Sequence, residues 1–298
     1  MSKRIATLFL AALLALVMTL ALAQDAAITV TDMYGREIML EQPATRVVAL
    51  TASDCEILCA IGCEETLVGR GAYCDYPESI LQVPAVESGY ETNIEQIIAL
   101  KPQVVLMADM SQTPEQVAAL ENAGIAVVVS DANDIEGTYT AIRMIGRLMA
   151  KDEQAEALID DMRKAFEEIA AKSEDGGKTV YFEVSPLEWG LWTAGANTFM
   201  DELAALCGLT NAFADVQGWA AISEEQVLER DPDYIVTITM DYGEGPTPVE
   251  EIMGRAGWEG LKAVKNGRIF NADSNAVSRP GPRLKDAAVE LHNFVYGE

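Results

Sequence analysis

The residue types that perform acid–base or metal chemistry are sparse in this chain of 298 residues. It has one histidine, His292, and five cysteines. One imidazole cannot build a multi-histidine zinc site, and it leaves a Ser-His-Asp triad one candidate base. Neither a Gly-x-Ser-x-Gly motif nor a glycine-rich phosphate loop occurs. We expect no catalytic residue, no resident cofactor and no directly bound metal ion. Bare zinc or manganese binding and an exported hydrolase stay as less favoured alternatives, because glycosidase carboxylates cannot be recognised by spacing alone.

The cysteines do not form a recognisable ligand pattern. Cys55, Cys59 and Cys63 recur every four residues, and Gly62 is placed to end their helix before Cys63. Unpaired cysteine behaves as a small buried hydrophobe, so we expect packing roles for all five, including Cys74 and Cys207. A disulfide or a ligand role is the alternative, and an odd count leaves at least one thiol free. We expect His292 to be a structural residue of the last helix, at the surface or partly buried.

Charge and composition limit the partners. The chain carries 47 acidic and 21 basic residues, a formal net charge of −26, and half its residues are hydrophobic. Such a chain repels phosphate backbones and anionic lipid surfaces, so we expect no nucleic-acid binding. Its length and apolar content predict two folded domains or one large one.

The first 23 residues have the layout of a secretory signal peptide. Lys3 and Arg4 precede an apolar run over 5–23 that ends in the small-residue sequence Ala21-Leu22-Ala23. We therefore predict export to the periplasm or the extracytoplasmic cell surface, with cleavage after Ala23. An uncleaved anchor is the alternative, since this run is long enough to span a bilayer.

The remainder alternates strand and helix patterns, which predicts an α/β fold with mainly parallel sheets. A hairpin is expected over 28–40, and a second one over 264–270 from the Asn266-Gly267 turn. The segment 151–173 has the apolar stripe of one long helix with neither Gly nor Pro inside it. We predict a lobe at 24–150, this connecting helix, and a second lobe at 174–298.

The two halves repeat a short segment at an offset of 130 residues. Segments 93–105 and 223–235 both contain a helix N-cap residue, a Glu-Gln pair, two aliphatic residues, a proline and a strand. The repeated glutamates are Glu95 and Glu225. The apolar spacing of the first segment predicts that Ile94, Ile97 and Ile98 face the core.

Several motifs together resemble one family. They are Asp32–Glu37, Arg46–Leu50, Ser53 with Glu56-Ile57-Leu58 and Gly62, Leu67–Gly69, Tyr73–Pro77, Asn93–Glu95, Ala99–Pro102, Ala194-Gly195, Gly218-Trp219, Asp231–Asp233, Ala263–Arg268 and Ser278–Arg283. Their order is similar to that in the helix-hinged solute-binding proteins of ABC importers, which capture ferric siderophores, haem or cobalamin. Cys55 departs from the pattern, in which a threonine would be expected beside Glu56.

The resemblance implies two similar lobes joined by a rigid helix, with a ligand cleft between them. It implies a monomer that delivers an iron complex, with cobalamin or haem as the alternative ligand, to a membrane permease. One glutamate on each lobe would dock on the permease subunits, and Glu95 and Glu225 match these positions. Membrane contact would occur only through the permease.

Candidate ligand residues lie in loops that follow predicted strands, where open α/β sheets bind ligands. Aromatic walls with few polar contacts suit a large chelate. Trp219 and Trp258 could instead be core residues. The strongly negative charge of the chain and its few candidate cleft cations, Arg279 and Arg70, favour a neutral or weakly charged complex. The cleft candidates are Tyr73, Tyr76, Tyr90, Met110, Trp189, Trp192, Trp219, Tyr242 and Arg279.

Overall fold

The computed structural model describes residues 27–89, 92–108, 113–174, 176–239, 243 and 245–297. The predicted signal peptide and the cleft candidates Tyr90, Met110 and Tyr242 lie outside the described residues. Within these ranges, no helix is both long enough and apolar enough to cross a membrane.

The predicted N-terminal hairpin is confirmed. Strand β1 (Ile28–Thr31) pairs antiparallel with β2 (Glu37–Leu40). The Asp32 carboxylate accepts hydrogen bonds from the backbone N–H groups of Tyr34 and Arg36 and closes the turn between them. Arg36 also forms an ion pair with this carboxylate at 2.7 Å.

The N-terminal lobe is built on a five-stranded parallel sheet in the order β5-β4-β3-β6-β7. Its strands are β3 (Val47–Ala49), β4 (Leu67–Gly71), β5 (Ala85–Val86), β6 (Val104–Met107) and β7 (Ala126–Val129). Its helices are α1 (Ala52–Ala60), α2 (Ile94–Ala99), α3 (Pro114–Asn122) and α4 (Ile135–Leu148). All four residues of β6 are buried, and alternate side chains join different apolar clusters, because helices cover both faces of the sheet.

The next helix, α5 (Asp152–Lys172), lies inside the predicted connecting segment. Its buried stripe packs in one apolar cluster that also contains residues of both lobes. The stripe consists of Ala155, Ile159, Met162, Phe166 and Ile169. A Cβ placed on Gly146 would lie 2.5 Å from the Ala155 Cβ, so glycine at this position permits the close approach of α4 to α5.

The C-terminal lobe has a four-stranded parallel sheet in the order β10-β8-β12-β13 and a two-stranded antiparallel ribbon, β9-β11. Its strands are β8 (Lys178–Glu183), β9 (Trp192–Ala194), β10 (Leu209–Asn211), β11 (Trp219–Ala221), β12 (Tyr234–Thr237) and β13 (Ile269–Asn271). Its helices are α6 (Phe199–Leu206), α7 (Glu224–Arg230), α8 (Pro248–Met253), α9 (Lys262–Lys265), α10 (Ser274–Val277) and α11 (Leu284–Tyr296).

The predicted hairpin over 264–270 is wrong. Residues 262–265 form α9, and the Asn266-Gly267 turn leads into β13, which pairs in parallel with β12. The predicted turn at Asn266-Gly267 is present, but residues 262–265 before it pack as a helix over the sheet instead of pairing as a strand.

The internal repeat extends to backbone detail. Residues 93–100 and 223–230 have the same sequence of exposed, half-buried and buried positions. Each segment is followed by a non-glycine residue with positive φ, Lys101 at 50° and Asp231 at 43°, and then by a proline. Strands β6 and β12 keep the same offset of 130 residues. The order β4-β3-β6-β7 in the first sheet corresponds strand for strand to the order β10-β8-β12-β13 in the second. The molecule is thus a mixed α/β protein of two similar lobes.

Candidate functional site

An ion cluster around Glu56, in the middle of α1, joins the two lobes. The Arg283 guanidinium contacts both oxygens of the Glu56 carboxylate, with Nε–Oε2 and Nη2–Oε1 distances of 3.0 and 2.7 Å. Arg279 Nη1 lies 3.1 Å from Glu56 Oε1 and 2.7 Å from Asp75 Oδ1. The Glu56 side chain is 2% exposed, so one buried carboxylate holds two guanidinium groups. Burial opposes the charge on Arg283, but the contact with Glu56 keeps the pKa of this guanidinium above its ordinary value.

The same arginines position the loop that follows β4. Arg279 Nη2 donates to the Tyr73 carbonyl oxygen at 3.2 Å, and the Arg283 guanidinium lies 4.3 Å from the centre of the Tyr76 ring. The Tyr73 side chain is 81% exposed, and that of Tyr76 is also exposed. Of the predicted ligand residues, Tyr73 therefore lies beside Arg279, and Tyr76 lies beside Arg283.

Arg70, a candidate cleft cation from the sequence, has a structural role. It is buried, and its guanidinium donates to the backbone carbonyls of Ile80 and Cys74 at 3.1 and 2.9 Å. Arg70 therefore stabilises the loop and is not presented to a ligand.

The predicted tryptophans come together on the C-terminal lobe. Trp189 is in the turn before β9 and is 73% exposed. Trp192 pairs with Ala221, and Trp219 pairs with Ala194, so these two indoles lie diagonally on one face of the β9–β11 ribbon. The Trp219 ring also packs 5.3 Å from the Phe199 ring.

Trp258, a candidate core residue from the sequence, is fully buried in the core of this lobe. Its Nε1–H donates to Glu224 Oε2 at 2.8 Å, and the Arg255 guanidinium lies 4.5 Å from the centre of the indole ring. Arg255 forms a two-point ion pair with Glu183, the last residue of β8, at 2.7 and 2.8 Å. Both side chains are buried. Burial disfavours both charges, but the hydrogen bonds that Arg255 donates to Glu183 and Glu251 keep the pKa of its guanidinium above its ordinary value.

Asp54 is a further buried carboxylate, in the N-terminal lobe, and no cation among the described residues pairs with it. Asp54 accepts hydrogen bonds from the hydroxyls of Ser130 and Thr51, each at 2.5 Å. Burial raises the pKa of Asp54 to about 6, and the two hydroxyl contacts oppose this shift.

The glutamates of the internal repeat are exposed in the first turn of α2 and α7. The N-cap side chains Asn93 and Ser223 accept from the backbone N–H groups of Gln96 and Gln226. A hydrogen bond with Ser223 lowers the pKa of Glu225 below its usual value. Both glutamates are thus exposed at helix starts, where a negative charge is favoured.

All five cysteines are free thiols. Burial raises the pKa of Cys59 and of Cys207 to about 12 and also raises that of Cys63. Among the described residues, no group of three or more His, Cys, Asp or Glu side chains could hold a metal ion. His292 is more deeply buried than expected: its ring packs 4.6 Å from that of Tyr296, and its Nε2 has no hydrogen-bond partner in the described part of the chain.

Three surface cavities of about 340, 550 and 460 Å³ lie away from the aromatic candidates. None of the three is lined by Tyr73, Tyr76 or the exposed tryptophans. The aromatic candidates are therefore surface walls on each lobe and do not enclose any of these cavities.

Sequence reasoning missed the inter-lobe partners Glu56, Asp75 and Arg283. A charged residue within the apolar stretch of α1 was the available signal for Glu56, since a buried carboxylate requires a partner. Its arginines are 223 and 227 residues away, so spacing could not identify them.

The model of one protein family, described as periplasmic binding protein, matches residues 47–276. The chain belongs to the periplasmic binding protein family. It is 32% identical over 276 residues to an uncharacterized ABC transporter substrate-binding lipoprotein of Bacillus subtilis, covering 90% of this chain and 85% of that one. It is 27% identical over 255 residues to a vitamin B12-binding protein of Vibrio cholerae, covering 85% and 90%. A crystal structure of a possible iron-binding, periplasmic solute-binding protein from Staphylococcus epidermidis is 29% identical, with a TM-score of 0.72 over 86% of this chain and 100% of that one.

This periplasmic binding protein is therefore the substrate-binding component of an ABC transporter. Such components bind small molecules outside the cytoplasm and interact with permease subunits. The family consists of solute-binding proteins rather than enzymes.

Proposed function

We propose that this protein captures a neutral or weakly charged metal chelate between its lobes and delivers it to a membrane permease. A ferric hydroxamate is the first candidate ligand. The observation that carries the proposal is that the candidate aromatic residues are exposed on both lobes, whereas the arginines beside Tyr73 and Tyr76 are already paired with carboxylates. Tyr73 and Tyr76 would form one wall, and Trp189, Trp192 and Trp219 the other.

The pairing of the arginines supports the restriction on ligand charge. Arg279 and Arg283 face Glu56 and Asp75, and Arg70 is bound to backbone carbonyls. A strongly anionic ligand would have to compete with these carboxylates and would also meet the negative field of the whole chain. A large uncharged chelate would instead bury aromatic area and need few polar contacts.

A corrinoid is the second candidate. A vitamin B12-binding protein aligns over 85% of this chain, and a corrinoid has the size and low charge that aromatic walls with few polar contacts would suit. The similarity to a possible iron-binding protein supports the ferric complex.

Tryptophan fluorescence tests the ligand class. Ferrichrome, cyanocobalamin, haemin, a triply charged ferric catecholate and zinc chloride would each be titrated into the purified mature protein. We expect saturable quenching by ferrichrome or cyanocobalamin and none by zinc. Trp189→Ala should weaken the binding, whereas Met253→Ala, an exposed residue of α8, should not. Tighter binding of the catecholate than of the neutral chelates would contradict the charge argument.

We further propose that Glu95 and Glu225 dock on the permease. A charge on each lobe can meet an arginine of each permease subunit in a two-fold arrangement. In a transport assay with the matching permease, the Glu95→Ala/Glu225→Ala double variant should bind ligand normally and transport it poorly. Uptake at the wild-type rate by the double variant would exclude this role.

A further inference from the structure

Each proposed docking glutamate has an exposed aliphatic neighbour three residues later in its helix. Ile98 is 37% exposed and Leu228 is 38% exposed. They stand at the same offset of 130 residues as Glu95 and Glu225. The apolar spacing of α2 predicted that Ile98 faces the core, and the structure instead places its side chain partly in solvent.

The spacing puts each aliphatic residue next to its glutamate. Residues three apart on a helix are neighbours on one face, so Glu95 with Ile98 and Glu225 with Leu228 form two equivalent patches of one charge and one apolar side chain. We call each of these two patches a docking pair.

The buried supports of the two helices differ, so the shared fold does not require the exposed residues to match. At the first helical position, Ile94 packs in an apolar cluster, whereas Glu224 accepts a hydrogen bond from Trp258. The Gln96 side chain donates to the Ala85 carbonyl at 2.8 Å, whereas the Gln226 side chain accepts from the Ser223 backbone N–H at 2.9 Å. The match of the exposed positions is therefore better explained by a binding partner that contacts both helices than by the fold.

We infer that Ile98 and Leu228 are contact residues of the permease interface and insert into an apolar depression beside the basic residue that meets each glutamate. The partner is a permease whose two subunits present this depression twice, because the two docking pairs are equivalent. This inference rests on the proposed docking role of Glu95 and Glu225.

The physical basis is water exclusion. An exposed ion pair contributes little in water, because solvent screens it and competes for its hydrogen bonds. An apolar side chain packed against the partner removes water from the edge of the pair and strengthens the charge interaction. The aliphatic residues also bury their own exposed area, so they stabilise the complex at any ionic strength.

The test measures docking of the purified, ligand-free protein on its permease in lipid nanodiscs by biolayer interferometry, at low and moderate salt. Three double variants are compared with the wild type: Ile98→Ser/Leu228→Ser, Ile98→Leu/Leu228→Ile and Glu95→Ala/Glu225→Ala. Met39→Ser/Val289→Ser is the matched control, because it makes two other exposed apolar residues polar. Circular dichroism melting and fluorescence titration with cyanocobalamin and ferrichrome show whether each variant keeps its fold and ligand binding.

We expect the serine double variant to dock at least about tenfold more weakly at both salt concentrations. The Leu/Ile exchange and the control should dock like the wild type. If the serine variant docks normally while the glutamate variant does not, the inference is wrong and the proposed docking role stands. If both variants dock normally, the inference and the docking role are both wrong.

Discussion

The two lobes present matching surfaces over different interiors. Outside, α2 and α7 share an exposure pattern, a glutamate and an aliphatic residue at equivalent positions. Inside, the N-terminal lobe buries Asp54 among hydroxyl groups, whereas the C-terminal lobe buries Glu183 against Arg255. The difference shows that the exposed positions of α2 and α7 match while the buried groups of the two lobes differ. Variants of the buried groups should therefore affect one lobe, and variants of the surface should affect docking.

The largest expected effect is in the C-terminal lobe. Arg255→Ala removes the partner of the buried Glu183 and should lower the free energy of unfolding by about 3–5 kcal/mol. Urea denaturation measures it. Arg143→Ala is the control, because Arg143 pairs with exposed carboxylates on the surface, and it should cost about 1 kcal/mol or less. Equal losses in the two variants would show that the buried pair has no special role.

In the N-terminal lobe, the buried Asp54 should make the free energy of unfolding depend on pH. Because the pKa of Asp54 is raised to about 6 from 3.8, the folded protein binds this proton more tightly than the unfolded chain does. The ionised carboxylate costs stability above pH 6, and the cost disappears as the pH falls toward 4. As the pH falls through this window, the free energy of unfolding of the wild type should rise by up to about 3 kcal/mol relative to that of Asp54→Asn.

Urea denaturation at several pH values between 4 and 7.5 measures this difference. Asp160→Asn, on the exposed side of α5, removes a charge without touching the buried site and serves as the control. Parallel pH profiles for the wild type and Asp54→Asn would contradict the assignment of a raised pKa.

Smaller losses of stability should show that different hydrogen bonds hold α2 and α7 in place. Gln96→Ala removes a hydrogen bond to β5, and Gln226→Ala removes one to the N-cap residue of its own helix, each at a cost of about 1 kcal/mol. Hydrogen exchange should show reduced protection at β5 in the first variant and only at the start of α7 in the second. The same local pattern in both would mean that the helices are held alike.

The smallest expected effect concerns the relation between the lobes. Because α5 is continuous and packs in a cluster shared by both lobes, we expect only modest closure on ligand binding. X-ray scattering with and without cyanocobalamin or ferrichrome should show little change in the radius of gyration. A large compaction would exclude a rigid connecting helix.

The sequence predicted what local patterns determine. The α/β alternation, the first hairpin and the two-lobed repeat follow from apolar periodicity, N-cap residues and prolines, all of which act within a few residues. The partners of Glu56 could not be predicted, because they come from the other end of the chain. The second hairpin failed for the same reason: β13 is defined by parallel pairing with β12, which a local turn does not reveal. Exposure of Ile98 also depends on what the rest of the lobe leaves uncovered.

The unreactive thiols have a practical consequence for measuring motion and binding. Thiolate is the form that reacts with maleimides, and burial holds Cys59 and Cys207 far from that form at neutral pH. Cys55, Cys63 and Cys74 are themselves buried. A single cysteine introduced at Trp189 or near Tyr73 should therefore be labelled selectively in the otherwise natural protein. An environment-sensitive dye at that position would turn the molecule into a reagentless optical sensor for its ligand.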